Sequence, residues 1–264
     1  MVKRVSAGLS GIYLFMIMFF LYIPILVMIV LSFNGSRSRV VWGGFTTEWY
    51  GRLFSNLQIR EALGTTLLLA FISALVATLI GLLAALGISA MRTREYSLVM
   101  GVTNIPLLNA DIVTGIALML WFVRFMPLGF SSVLIAHITF NIPYVILAVL
   151  PKIRQMNMSI YEASRDLGAG ALYGFFATIL PQLAGGLVSG FFMAFTMSMD
   201  DFVVTYFTRG AGINTLSTMI YSEIKKGIKP EMYALSTIIF AAVFILLLIV
   251  NFVPDGGDLK DLVE

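Results

Sequence analysis

Charged residues along this chain fall in clusters separated by long apolar stretches. None occurs between Arg4 and Arg37, Glu61 and Arg92, Arg124 and Lys152, Asp166 and Asp200, or Glu231 and Asp255. A further stretch, Tyr96 to Val123, is interrupted only by Asp111. Crossing a bilayer takes about 20 mostly apolar residues, so each stretch predicts one helix. The expected spans are Gly11–Leu31, Ala62–Ala90, Leu98–Val123, Ser131–Leu150, Gly185–Phe207 and Met232–Val253. The predicted architecture is an all-α polytopic membrane protein of six transmembrane helices in one domain, residues 1–264, with both termini on the same side. Lys3 and Arg4 precede the first run as they would in a signal peptide, but that run is too long and no small-residue cleavage site follows, so a retained helix is expected.

Composition supports the same class. The chain is 59% hydrophobic and 12% charged, whereas soluble domains carry roughly 25% charged residues. The balance of 17 Lys+Arg against 14 Asp+Glu is too even and too scattered for a nucleic-acid partner. There is no Cys, which excludes disulfides, thiol catalysis and thiolate metal sites, and a lone His137 excludes a histidine-rich one. With the N-terminus inside, Lys3, Arg4, Arg92, Arg94, Lys152, Arg154, Arg165 and Lys260 fall on the inner side, against nine basic residues outside, so charge alone does not orient the chain.

Three connecting segments carry recognisable patterns. Residues 34–60 form an outer loop with Trp42, Trp49 and Tyr50, read as interfacial aromatics. In residues 209–230, Ile213, Leu216, Ile220 and Ile224 recur at helical spacing before Lys225, Lys226 and Lys229, which predicts an amphipathic helix lying on the membrane surface. The longest inner loop runs from Lys152 to about Pro181. There Ser159 stands as a predicted N-cap with Glu162 at the third helical position, a capping box, and Gly168 as the predicted helix stop. A short capped helix of this kind is a rigid knob for another protein to grip. The chain has no Gly-x-x-x-x-Gly-Lys-[Ser/Thr] phosphate loop, so any ATP chemistry must come from another polypeptide.

In that loop, Glu162-Ala163-Ser164, three residues, Gly168-Ala169 and, after a further interval, Ile179-Leu180-Pro181 resemble the EAA loop of bacterial ABC importer permeases. Ser164 stands where the pattern has its second Ala, and Thr178 where it has Ile. Gly44–Tyr50, Asp111-Ile112-Val113, His137–Phe140 and Ser198–Asp201 further resemble the second permease subunit of spermidine/putrescine importers, the PotC type. The resemblance implies a type I importer transmembrane fold in the bacterial inner membrane, with both termini and the EAA loop cytoplasmic. It implies a homologous second permease, two cytoplasmic ATPase subunits that bind ATP and Mg, an extracytoplasmic polyamine-binding protein, and no cofactor or catalysis in this chain. Tyr161, Glu162, Ala163, Ser164, Gly168 and Ala169 would be the ATPase-coupling residues. The loop reports the energy source and not the cargo, so an importer for another small solute is the alternative, with an ion-coupled secondary cation transporter behind it.

Asp111, Asp200 and Asp201 are the acids within the expected spans. A carboxylate near the bilayer centre costs about 2.5–3.5 kcal/mol on insertion scales and points to function. Asp111 follows Pro106 and Asn109, in a helix expected to be locally broken. As continuous helices, the third and fifth spans put Asp111 and Asp200 about 20 Å along their axes, where they would flank a pathway for cations. Asp200 and Asp201 lie on stripes about 100° apart, so one is expected to face the pathway and the other to pair with Arg124, Arg209 or the partner permease. Trp121, Phe202 and Tyr206 are the expected aromatic walls. Gly185, Gly186 and Gly190 predict close helix packing, and His137 is expected to hydrogen-bond a neighbouring helix.

Overall fold

The structure is a computed structural model that describes residues 2–38 and 40–252. In order, the elements are α1 (Val2–Ser32), α2 (Glu48–Ser55), α3 (Leu57–Ser89), α4 (Thr93–Leu108), α5 (Asp111–Phe125), α6 (Phe130–Gln155) and α7 (Met158–Asp166). Then come a single turn α8 (Ala171–Gly174), a π-helical turn Phe175–Ile179, α9 (Leu180–Asp200), α10 (Val203–Thr208), α11 (Leu216–Lys226) and α12 (Pro230–Phe252). Among the described residues the one strand-like pairing is a bridge between Asn34 and Phe45.

Four segments are long and apolar enough to cross a membrane: Tyr13–Ser32, α3, α6 and the 30-residue run Ala171–Asp200. The bent pair of α4 and α5 meets the same test of length and apolarity when taken together. The sixth expected span falls on α12; its last residue, Val253, and Lys260 lie outside the described residues.

Two spans depart from expectation. The third is not one helix but two, bent by 102° at Asn109-Ala110, both of which are extended. The break follows Pro106 by a turn rather than coinciding with it, and Asp111 becomes the first residue of α5. The fifth begins well before Gly185, because the π turn carries α8 directly into α9. It stops at Asp200, since Asp201 is extended (φ −61°, ψ 125°), and the short helix α10 begins at Val203. Neither aspartate is therefore in mid-helix, and the 100° phase argument does not apply to them.

The contacts divide the chain into two units, residues 1–59 with 222–264, and residues 60–221. In the first, α1 and α2 pack on α12. The segment before α2 is built around buried Asn34. Its amide donates to the carbonyls of Ser38 (3.1 Å) and Val41 (2.9 Å) and accepts from the N–H groups of Ser36 (3.1 Å) and Gly43 (2.8 Å). Trp49 is 4% exposed, and its Nε1–H donates to the Asn34 carbonyl at 2.8 Å. It is thus a buried anchor rather than an interfacial aromatic, while Trp42 stays exposed.

In the second unit α6 lies along α9 over the most extensive helix contact among the described residues. Small residues allow it. A Cβ on Gly190 would lie 3.3 Å from the Cα of Val145, one on Gly186 would lie 2.8 Å from the Cγ of Lys152, and one on Gly81 of α3 would strike the Val145 side chain. Gly185, by contrast, faces open space. Ala74, Ala77 and Ala85 of α3 and Leu183 and Ala194 of α9 complete this core. In a bilayer, where lipid is as apolar as a core, such close packing of small residues carries helix association. The predicted amphipathic helix is α11, whose first amide N–H donates to Thr66 Oγ1 of α3 at 2.8 Å.

Candidate functional site

The α4–α5 bend and the α9–α10 break meet at a cavity of about 270 Å³. Asp111, Asp200 and Asp201 all line it, with Pro106, Thr114, Phe140, Tyr144, Met197 and Phe202 among the other walls. Of the expected aromatic walls, Phe202 is present and Tyr206 packs against it at a tilt, with ring centroids 5.4 Å apart, whereas Trp121 is not on the cavity. Two interrupted helices supply the polarity. Asp111 opens α5, where the helix N-terminus favours an anion. Asp200 closes α9, where the helix C-terminus is itself negative and disfavours one. An exposed carboxylate on a helix C-terminus, with no cation paired to it among the described residues, leaves this end of the cavity net negative. That electrostatic arrangement suits a cationic guest.

Asp201 is placed differently. Its Oδ1 accepts from the N–H of Val204 (3.2 Å), and its Oδ2 from the N–H (2.7 Å) and Oγ1–H (2.8 Å) of Thr205. The carboxylate caps α10 from the cavity wall. It also lies 3.5 Å from Nε2 of His137, the residue whose ring is fully buried on α6. Neither Arg124 nor Arg209 pairs with it: Arg209 instead hydrogen-bonds Ile213 O and Asn214 Oδ1. The histidine bonds Ser198 Oγ of α9 through Nδ1 (2.6 Å) and Thr205 Oγ1 of α10 through Nε2 (2.9 Å), the inter-helix bonding expected of it. Ser198 continues to Ser73 of α3 (2.9 Å), and Ser73 to Asn141 of α6 (3.5 Å). Sequence reasoning missed Ser73, Asn141 and Tyr144. The spacing His137, Phe140, Asn141, Tyr144 on one apolar helix was the available signal, since i, i+3, i+4 and i+7 share a face.

The second predicted site is α7. Its N-cap is Asn157, whose side chain accepts from the Ser159 N–H at 3.0 Å, so the helix starts two residues earlier than expected. Ser159 lies inside it, and the expected capping box with Glu162 is not formed. The reason is competition: Asn157 caps as well as Ser, and its own N–H is held by Gln182 Oε1 (3.1 Å). The far end is as expected. Gly168 has φ +88°, its N–H donates to Arg165 O (2.9 Å), and the Ala169 N–H donates to Ser164 O (3.0 Å), the paired bonds of a Schellman stop. Tyr161 and Ser164 turn inward onto Gly174, where a Cβ would lie 2.9 Å from the tyrosine ring and 3.2 Å from Ser164 Oγ. Glu162, Ala163 and Gly168 are exposed, beside Leu167, which is 90% exposed. The glycine at 174 is thus required by packing, while the exposed residues form a knob with an apolar tip.

A family model described as the binding-protein-dependent transport system inner membrane component matches residues 77–256. The chain belongs to this permease family. The permease is 37% identical over 248 residues to the spermidine/putrescine transport system permease protein PotC of Shigella flexneri, covering 91% of this chain and 94% of that one. It is 35% identical over 232 residues to the putrescine transport system permease protein PotI of Escherichia coli K12, covering 85% and 83%. A bacterial ABC transporter that imports the acidic polysaccharide alginate shares the fold, with a TM-score of 0.68 at 14% identity over 96% of this chain and 98% of that one. The permease is accordingly a multi-pass inner-membrane subunit of an ABC importer, and it is not the catalytic subunit.

Proposed function

We propose that this permease forms half of a membrane pathway for polyamines, and that Asp111 and Asp200 are the carboxylates its cargo meets. The supporting observation is the cavity at the α4–α5 and α9–α10 breaks, where two exposed carboxylates, with no paired cation among the described residues, stand among aromatic and aliphatic walls. A polyamine alternates ammonium groups with methylene spacers. Desolvating each ammonium is costly unless an opposite charge or several acceptors replace the water, and the spacers need apolar surface. The relatives named for spermidine and putrescine transport agree with this chemistry.

In this reading α7 docks in a cleft of a cytoplasmic ATPase, through Glu162, Ala163, Gly168 and the apolar tip at Leu167. Both termini are cytoplasmic, and a homologous permease supplies the other half of the pathway. Two ATPase subunits hold ATP and Mg, and their closure pulls the knobs of the two permeases together. An extracytoplasmic binding protein delivers the cargo. The test is ATPase stimulation of the complex in nanodiscs with binding protein present, across a panel of polyamines, monovalent cations and anions. Stimulation confined to polyamines is the expected outcome; stimulation by an anionic solute and none by polyamines would defeat the cargo assignment.

A further inference from the structure

The buried hydrogen bonds behind the cavity wall run in one direction. Thr205 has a single hydroxyl proton, and it is directed at Asp201 Oδ2 (2.8 Å), an acceptor only. Thr205 Oγ1 must then accept from His137 Nε2, 2.9 Å away, so the ring carries its proton on Nε2. A neutral ring of that form leaves Nδ1 as an acceptor for the Ser198 hydroxyl at 2.6 Å. Ser198 Oγ accepts in turn from Ser73 (2.9 Å), and Ser73 from the amide nitrogen of Asn141, which can only donate (3.5 Å). With the ring neutral, five links drawn from α6, α3, α9, α6 again and α10 donate toward one carboxylate, although the Ser73–Ser198 and Ser198–His137 bonds admit either direction. His137, Ser73, Asn141, Ser198 and Thr205 are all at most 2% exposed, which excludes water from competing for these groups. Bonds aligned head to tail polarise one another in a low-dielectric interior. A charged ring would require both serines to reverse, Ser73 turning to the Ala70 carbonyl at 3.2 Å.

We propose that neutral His137 is a positioning residue that commits Asp201 to the protein, so that Asp201 contributes only its field to the cavity while Asp111 and Asp200 make the contacts with cargo. Without the relay Asp201 would keep the N–H groups of Val204 and Thr205, but the Thr205 hydroxyl would lose the His137 donor that directs its proton at Oδ2, leaving the carboxylate less firmly held against the cavity. The inference rests on the cation reading of the site, but its structural half does not depend on cargo.

The experiment is 15N NMR of the histidine-labelled complex, with the His137 resonances identified as those absent from His137→Gln. The expected result is one protonated and one unprotonated ring nitrogen, with the proton on Nε2 and both signals shifted by Asp201→Asn and by Thr205→Val. A doubly protonated ring, an Nδ1–H ring, or resonances indifferent to both substitutions would overturn the relay. In the same complex His137→Phe should lower polyamine uptake about tenfold, the scale of leaving a buried polar group unpaired. Binding-protein affinity and subunit composition should be unchanged, and His137→Gln, which keeps a donor toward Thr205, should recover most of the loss. Parental uptake in His137→Phe would overturn the positioning role. If polyamines fail to stimulate even the parental complex, the cargo reading falls, and the NMR result alone decides the relay.

Discussion

Replacing Gly168 isolates the conformational requirement of the α7 knob from everything else around it. The residue sits at φ +88°, and a Cβ built there meets nothing within 4 Å, so a substitution meets no steric obstacle from neighbours. The cost is the backbone's own. A side chain in the left-handed region costs about 1–2 kcal/mol, with Asn the most tolerant non-glycine residue. A β-branched side chain there is a genuine outlier and costs more than Ala. One or two kcal/mol changes an equilibrium by a factor of roughly 5–30, enough to depopulate the Schellman stop that orients Leu167 and the end of α7. The expected order of ATPase retention on the purified complex is therefore Gly, then Asn, then Ala, then Val, with polyamine uptake following the same order and membrane insertion unaffected. Retention by Gly168→Val equal to that of the parent, with undiminished uptake, would refute the reasoning.

Three further outcomes follow from the packing and capping. Asn157→Ala should lower complex stability by about 1 kcal/mol, the usual worth of an N-cap, while Ser159→Ala should be close to neutral; thermal unfolding of the two variants distinguishes the observed cap from the expected one. Gly190→Leu should destabilise by about 1–3 kcal/mol as an overpacked contact against the Val145 backbone, whereas Gly185→Leu, which points into open space, should not, as read from the midpoint of thermal unfolding. Trp49→Phe removes the donor to the Asn34 carbonyl and should cost about 1–3 kcal/mol for the orphaned acceptor, visible as faster proteolysis of the segment before α2.

Much of this was legible in the order of residues because charge gaps and apolar runs report directly on helices in a bilayer. The spans on α1, α3 and α6 follow from that rule alone, and Gly168 was readable because a single glycine after a short polar helix has one common use. The breaks were not. Pro106 announced an interruption, but the chain turns at Asn109-Ala110, where two extended residues let Asp111 begin a new helix. Nothing local marks Asp201 as a helix break either. Its extended backbone is stabilised by Thr205 and His137, the latter more than 60 residues earlier in the chain. The same long-range effect moved the start of α7, since Gln182 holds Asn157 from another helix. By residue type Trp49 reads as interfacial, whereas its burial comes from a carbonyl that only the folded loop presents.

The central claim is that the carboxylates at the two helix breaks carry a polycation, and neutralising them in place tests it most directly. Polyamine uptake should be measured in proteoliposomes holding the full complex, for Asp111→Asn, Asp200→Asn and the double variant, with binding-protein affinity and subunit composition measured alongside. Each single substitution should slow uptake roughly ten- to a hundredfold, as expected for losing one charge-assisted contact worth about 1.5–3 kcal/mol, and the double more, with assembly and delivery unchanged. Parental rates in the double variant would contradict the account, leaving the cavity's carboxylates structural.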